Sequence, residues 1–432
     1  MGKKTLLVIG AGPFQLALAR KAAQMCDVKI AAPVISEEFQ ACATATLISD
    51  VRDFEAILSF ARGEDGSAPI DGAITDETDI PVLTVARVCD AMGLPGIGPK
   101  TARLFTNKAL MRRKMEELGI PVLANRTVFS IDEAKEAYVE IGGVVIIKPV
   151  DTQGSRGVQI CRNVDELVEK YPEAARWSSD SSVIVERYAT GREFVVEGLA
   201  LGGEFINLCI GDTLYFDLGD SLSAKERTFP TVVDDELRDR VLELNTRIVK
   251  GFGLVQGITH SEFVMEGDEI FLMETAARGG GAFISSDLIP LSCGLQSEEF
   301  LVKLALGEIT SFDQLPGVRE IDFATSPDEL ALRPLRHCCY VAFYVPEGKV
   351  LAVRGVADVL ALPYIHSTQI EHLDSLVGTD YAEGHTDKTS RYLITIEAPT
   401  RAELEERMAH VRATVQMDVR MPDGSIEGLI WK

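Results

Sequence analysis

No apolar run in this 432-residue sequence is long enough to cross a membrane; the longest, residues 6–14, is broken by two glycines and a proline. Basic residues are in deficit. Against 66 Asp and Glu there are 43 Lys and Arg, and the net charge of −23 repels a phosphate backbone, which argues against a nucleic-acid partner. The eight cysteines (26, 42, 89, 161, 209, 293, 338 and 339) include no Cys-x-x-Cys. Neither a zinc framework nor a disulfide scaffold is indicated, and reduced thiols of a cytoplasmic protein are expected. Internal repeats and low-complexity tracts are missing as well. What is left is an ordinary globular composition, 46% apolar and 25% charged, with length for about three domains.

The first hundred residues alternate strand and helix. Lys3, Lys4 and the apolar residues 6–9 imitate a secretion signal, but the Gly-Ala-Gly-Pro break at 10–13 favours a first strand running into a helix. Thr5–Ile9 and 28–32 read as strands, and 14–25 and Phe54–Ala61 as helices. Gly72–Ile74 leads to a helix over 81–92 that carries Val82, Val85, Ala86 and Cys89 on one face. This pattern predicts an open parallel sheet, ended by Pro-Gly-Ile-Gly-Pro at 95–99. A basic helix is expected over 106–118, and Ser130, Asn163 and Thr400 cap three more. Strands are expected at 144–150, 158–162, 183–188, 193–200 and 204–210, a helix at 234–250, and a hairpin from 262–266 and 269–275. Residues 315–334 read as a connector to further strands at 339–345, 350–354 and 392–398.

Several clusters could carry chemistry. Gly10-Ala11-Gly12-Pro13-Phe14-Gln15 is half of a dinucleotide fingerprint, with Gln15 where the third glycine belongs, and so points only weakly to a nicotinamide oxidoreductase. Lys148 ends an apolar strand and precedes Gln153, Gly154, Ser155 and Gly157. A lysine there meets an anion or snorkels from an ordinary hairpin, and the residues alone leave both readings open. The turn Glu186-Arg187-Tyr188-Ala189 frees backbone groups suited to an adenine edge, with Glu193 placed for ribose hydroxyls. On the hairpin, Glu262 and Glu274 share a face beside Arg278, and two facing carboxylates call for a hard cation. Residues 215–230, with Lys225, Glu226 and Arg227, are placed to border an acceptor site. His337-Cys338-Cys339 reads as a strand with buried thiols.

In this order the clusters resemble the ATP-grasp superfamily over essentially the whole chain, nearest to members that join a carboxylic acid to an amine, such as L-amino-acid ligases. Residues 75–114 are also similar to carbamoyl-phosphate synthetase and biotin carboxylase. The resemblance implies a fold of α/β and α+β class: a Rossmann-like domain (1–97), an ATP-grasp domain (98–315, with a lid subdomain at 113–189) and a C-terminal α+β domain (335–432). It further implies that Lys108 and Lys148 contact the ATP phosphates, Gln153 to Gly157 form a flap, Glu186 to Ala189 hold adenine, and Glu193 holds ribose. Glu262 and Glu274 would bind Mg²⁺, with Mn²⁺ as an accepted substitute, while Arg278 steadies the phosphoryl group and His260 touches the phosphates. Ala276 departs from the family, which often has a metal-ligating Asn there.

The implied activity is an ADP-forming ligase acting on small-molecule carboxylate and amine substrates, without nucleic-acid or membrane partners and with a homodimer as an allowed assembly. A bicarbonate-activating carboxylase would use the same nucleotide machinery and is the alternative.

Overall fold

A computed structural model describes residues 2–219, 221–315, 331–383 and 390–432. The N-terminal part is a parallel sheet in the order Ala45–Ile48, Asp27–Ala32, Thr5–Ile9, Gly72–Ile74. Thr5–Ile9 is buried along its length because helices cover both faces: Leu6 and Val8 join one apolar cluster, Leu7 and Ile9 another. The turn after it runs into Leu16–Met25, and its interior is filled by the Gln15 side chain. Gln15 accepts from the Gly12 amide at 3.0 Å and donates to Thr75 Oγ1 at 3.1 Å. That filling occupies the space a third glycine would leave for a pyrophosphate.

The basic helix differs from expectation. Asn107 ends one helix, Pro99–Thr106, and caps the next, Lys108–Glu117, by accepting from the Leu110 amide at 3.0 Å. The Ser130, Asn163 and Thr400 caps are all formed. Helices Ile131–Ile141 and Val164–Trp177 then pack on an antiparallel sheet ordered Asn125–Val128, Val183–Arg187, Val145–Pro149, Gln159–Cys161. Asn125–Val128 was not foreseen.

The central sheet has eight strands, from Glu269–Ala276 and Gly257–Glu266 through Arg192–Leu201, Glu204–Tyr215 and Ala224–Phe229 to His337–Phe343, Tyr392–Ala398 and Ile365–Thr368. The last three come from the C-terminal region, so that region extends the central sheet as well as carrying a small sheet around Gly348–Arg354. The strand expected at 339–345 starts two residues earlier, at His337, and its Cys338 and Cys339 are buried thiols. Most of the expected connector, 316–330, lies outside the described residues. No helix among the described residues is long and apolar enough to cross a membrane.

Gly191 shows how tightly the central sheet fixes the turn that precedes it. A Cβ there would lie 1.9 Å from the Met265 carbonyl oxygen on the neighbouring strand, and backbone cannot swing aside as a side chain does. Gly191→Ala is therefore expected to cost about 1–3 kcal/mol of stability, read as a lower urea midpoint with unchanged slope. A midpoint equal to that of the parent would show that the two strands separate freely.

Candidate active site

The lid sheet, the central sheet and the N-terminal domain enclose two adjoining cavities. The smaller, of about 170 Å³, is lined by Lys108, Lys148, Ser155, Glu186 to Ala189, Glu193 and Tyr215 over an apolar floor that includes Leu123, Ile146 and Val264. The larger, of about 580 Å³, is walled by the Gly10–Gln15 turn, residues 77–81, the flap residues Gln153 to Arg156, Arg227, His260, Arg278 and Arg391. Glu262 and Glu274 line both. They are direct cross-strand partners in the hairpin, which places both carboxylates at the junction.

Two cations share one carboxylate at the floor of the smaller cavity. Lys148 and Glu186 are buried on adjacent strands, with Lys148 Nζ 2.7 Å from Glu186 Oε2. Arg112 reaches the same carboxylate from below, donating from Nε at 2.6 Å and from NH2 at 3.3 Å. Burial alone would push the Glu186 carboxyl up; Arg112 and Lys148 outweigh it and hold the group at about 2. The side chain is thus committed to two cations rather than facing adenine, as expected from the sequence. The Arg187 and Tyr188 amides donate to the Ala124 and Val144 carbonyls at 2.8 and 3.0 Å. Ala189 lines the cavity without a backbone bond of this kind among the described residues.

Glu193 faces the same cavity and accepts from the Tyr215 hydroxyl at 2.5 Å. Burial lifts its carboxyl to about 7, with Glu262 adding to the rise. Lys108 is also buried: Nζ lies 2.8 Å from Glu274 Oε1 and donates to the Thr152 carbonyl at 2.7 Å.

A second set of pairs rims the larger cavity. Arg227 grips Glu262, and its NH1 lies 2.9 Å from His260 Nε2. His260 sits between Glu262, at 3.2 Å, and the fully buried Glu197, which contacts Nδ1. Burial opposes protonation of this imidazole, but the Glu197 carboxylate prevails and raises its pKa. Arg278 meets Asp79 with a two-bond fork, Nε at 2.8 Å and NH2 at 2.7 Å.

The flap leaves the lid strand after Pro149. Gly154 and Gly157 have φ of 69° and 70°, which the glycines allow without strain. Gln153 ties the flap to the N-terminal domain, accepting from Thr78 Oγ1 at 3.0 Å and from the Asp79 amide. Gly157 lines neither cavity and packs at the flap's base near Trp177 and Pro149. Every other residue given a nucleotide, metal or phosphoryl role lines at least one of the two cavities; of the residues expected to border an acceptor site, Arg227 lines the larger cavity while Lys225 and Glu226 line neither.

Three residues escaped the sequence reading. Glu197 had a signal, since it lies four residues after Glu193 and therefore on the same strand face. Asp79 had one too, in an acidic run just past the carboxyl end of a parallel strand. Arg112 had none; Arg112, Arg113 and Lys114 look alike in sequence, and only packing buries the first.

Glu186→Gln removes the charge from a buried pair and is expected to cost about 3–5 kcal/mol at neutral pH. The sign with pH follows from the depressed carboxyl. Its contribution is complete above the ordinary 4.5 and is lost as pH falls toward about 2. Urea unfolding across that window should show the parent losing this increment and the variant lacking it. Equal stabilities at pH 7 would refute the pairing.

Comparison with known proteins places this geometry. Residues 141–287 match the family model of the ATP-grasp domain. An uncharacterized protein of Sinorhizobium fredii is 28% identical over 239 residues, 54% of this chain and 49% of that protein. Alanine–anticapsin ligase of Bacillus subtilis is 24% identical over 232 residues, 48% of each. The chain spans about half the length of the curated relatives it matches. The crystal structure of an L-amino acid ligase from Bacillus licheniformis has the same fold, with a TM-score of 0.78 at 18% identity over 96% of this chain and 99% of that one. Residues 141–287 thus carry an ATP-grasp domain, and the chain has the fold of that L-amino acid ligase.

Proposed function

We propose that the protein is an ATP-dependent, ADP-forming ligase that joins a carboxylic acid to an amine. The observation that carries this reading is the pair of cavities meeting at Glu262 and Glu274. A triphosphate in the smaller cavity and an acid in the larger one would bring their reacting ends together there. The likeness to alanine–anticapsin ligase and to the L-amino acid ligase fold supports the same choice over a carboxylase.

In this reading residues 1–97, 98–315 and 335–432 act as three parts around one centre, with 113–189 closing as the lid. Adenine lies along Glu186 to Ala189 against Leu123, Ile146 and Val264, with the Ala189 amide as its donor. Glu193 and Tyr215 meet the ribose. Lys148, oriented by Glu186, and Lys108 meet the phosphates, and the flap residues Gln153 to Ser155 cover them.

The oxygen donors of Glu262 and Glu274 fit a Mg²⁺ or Mn²⁺ ion, since such an ion is commonly held by one or two carboxylates together with substrate phosphates. Bound there, the metal supplies neutralising charge to the phosphates. Lys108 and Arg227, which contact these carboxylates, would then be free to meet phosphate oxygens.

Transfer proceeds by attack of a substrate carboxylate oxygen on the γ-phosphorus, breaking the bond to ADP and giving an acyl phosphate. An amine attacks that carbonyl, phosphate leaves with the C–O electron pair, and the amine loses a proton. Arg278, fixed by Asp79, steadies the transferred phosphoryl group. His260 is held at the rim of the phosphate site by Glu197 and Arg227. The flap also excludes water from a readily hydrolysed intermediate. We place this reaction in the cytoplasm, where ATP is available and the eight free cysteines stay reduced.

Two tests address this reading. A screen of acid and amine pairs with Mg-ATP should reveal a pair that releases phosphate and ADP, and Glu274→Gln should lower that turnover by more than about a hundredfold, a loss of roughly 3 kcal/mol. A folded variant working within about tenfold of the parent would remove Glu274 from the centre; ADP release that depends on bicarbonate would favour the carboxylase. Limited proteolysis should also cut Gln153–Val158 more slowly with Mg-ATP than without. Equal rates would show that the segment does not close over nucleotide.

A further inference from the structure

A third cavity, of about 330 Å³, shares the flap residues Gln153 and Arg156 with the larger one. Neither Lys108 nor Lys148 lines it, so it is separate from the proposed phosphate site. In a chain of net charge −23, no Asp or Glu among the described residues lines this cavity. Three arginines do, and each comes from a different segment. Arg52 follows the parallel strand Ala45–Ile48, Arg156 belongs to the flap, and Arg176 stands with Trp177 at the end of the helix Val164–Trp177.

Of these three cations, Arg176 alone is paired among the described residues. Its NH2 lies 2.8 Å from Glu173 Oε1, which also accepts from Trp177 Nε1 at 2.7 Å. Arg52 and Arg156 are exposed and have no carboxylate partner among the described residues. Arg156 and Arg176 each lie 5.7 Å from the centre of the exposed Trp177 ring. Acids close by in the chain are committed elsewhere: Asp151 accepts from the Ser179 amide at 3.1 Å, Asp180 from the Ser182 amide at 3.0 Å, and Asp50 from the Arg52 amide at 2.8 Å. Two unpaired guanidinium groups around one cavity repel each other. A multiply charged anion between them removes that repulsion, and phosphate oxygens match the planar fork of each. The place also fits, since open α/β sheets take ligands just beyond the carboxyl ends of their strands, where Arg52 stands.

We propose that this third cavity is a second anion site, which binds a phosphate-bearing small molecule and thereby clamps the flap to the N-terminal domain. One ligand held by Arg52 and Arg156 joins the same two parts of the chain that Gln153 joins through Thr78 and the Asp79 amide. The ionic tie adds to those hydrogen bonds and favours the flap position they define. Inorganic phosphates and nucleoside phosphates share the required chemistry. The site does not depend on which substrates meet in the other two cavities, or on whether they are ligated.

The test exploits the scarcity of tryptophan. Trp177 and Trp431 are the only two in the chain, so Trp431→Phe leaves Trp177 as the reporter. Its fluorescence is titrated with pyrophosphate, inorganic phosphate and adenosine monophosphate at constant ionic strength. The titrations are repeated with Lys148→Met, which impairs the nucleotide cavity, and with Lys108→Met should circular dichroism show Lys148→Met unfolded. At least one of the three anions should give a saturable change that survives the lysine substitution. Arg52→Ala and Arg156→Ala, both at exposed positions, should each raise the dissociation constant by about tenfold or more. In the lysine variant, pyrophosphate should also slow proteolysis of Gln153–Val158, and Arg52→Ala should remove that protection. Tightest binding of adenosine monophosphate would support the site as one for nucleotides, and tightest binding of pyrophosphate or phosphate as one for the free anion. No saturable change, a change kept in both arginine variants, one lost in the folded lysine variant, or one matched by acetate would overturn the proposal.

Discussion

The buried contact of Glu186 with Arg112 and Lys148 is the constraint on which the nucleotide cavity depends. Three charged side chains from a helix and two lid strands meet where water is excluded, and none of them could be buried alone without a severe desolvation cost. Together they leave a net positive charge on the floor of the cavity. Lys148 is thereby aimed and charged before any ligand arrives. Under the proposed reading a triphosphate would gain from that arrangement, because a cation already in place does not reorganise during transfer.

The remaining ionic contacts around the two cavities follow the same logic in a looser form. Lys108 with Glu274, Arg227 with Glu262 and Arg278 with Asp79 each join different segments of the chain, and all are less buried than Glu186. A ligand that brings its own negative charge can compete for these cations, whereas the Glu186 contact is too enclosed to exchange. This division separates a fixed frame from groups that change partner. It also explains why the N-terminal domain belongs to the site. Asp79 and Thr78 hold Arg278 and the flap residue Gln153, so flap position and arginine position are set by one short segment after a parallel strand.

How much of this was legible in the sequence depended on whether a signal was local. Strand Thr5–Ile9, the helix caps and the Gly267-Asp268 hairpin could be read because each is settled within a few residues. Glu262 and Glu274 stand face to face only because the register shifts between Glu262 and Phe263, whereas plain counting from the turn would put Glu262 opposite Met273. For Glu186 the neighbours suggested an adenine turn, and nothing nearby announced that Arg112 would reach it across 74 positions. Asn107 was missed as a break because apolar periodicity runs through it. His337, Cys338 and Cys339 could be read as strand because the buried thiols continue the apolar pattern of the residues after them.

The eight-stranded sheet adds a coupling that no motif contains. Because His337–Phe343 pairs with Ala224–Phe229, the C-terminal strands are hydrogen-bonded to the strand that carries Arg227. Tyr340 therefore stands in the same continuous sheet as Glu262, four strands further along. A hydrogen-bonded sheet resists shear between its strands far better than two domains joined by a linker. The wall that Tyr340 gives the larger cavity is thereby tied to Glu262 by backbone register, while the sheet of Val145–Pro149 and Val183–Arg187 is separate.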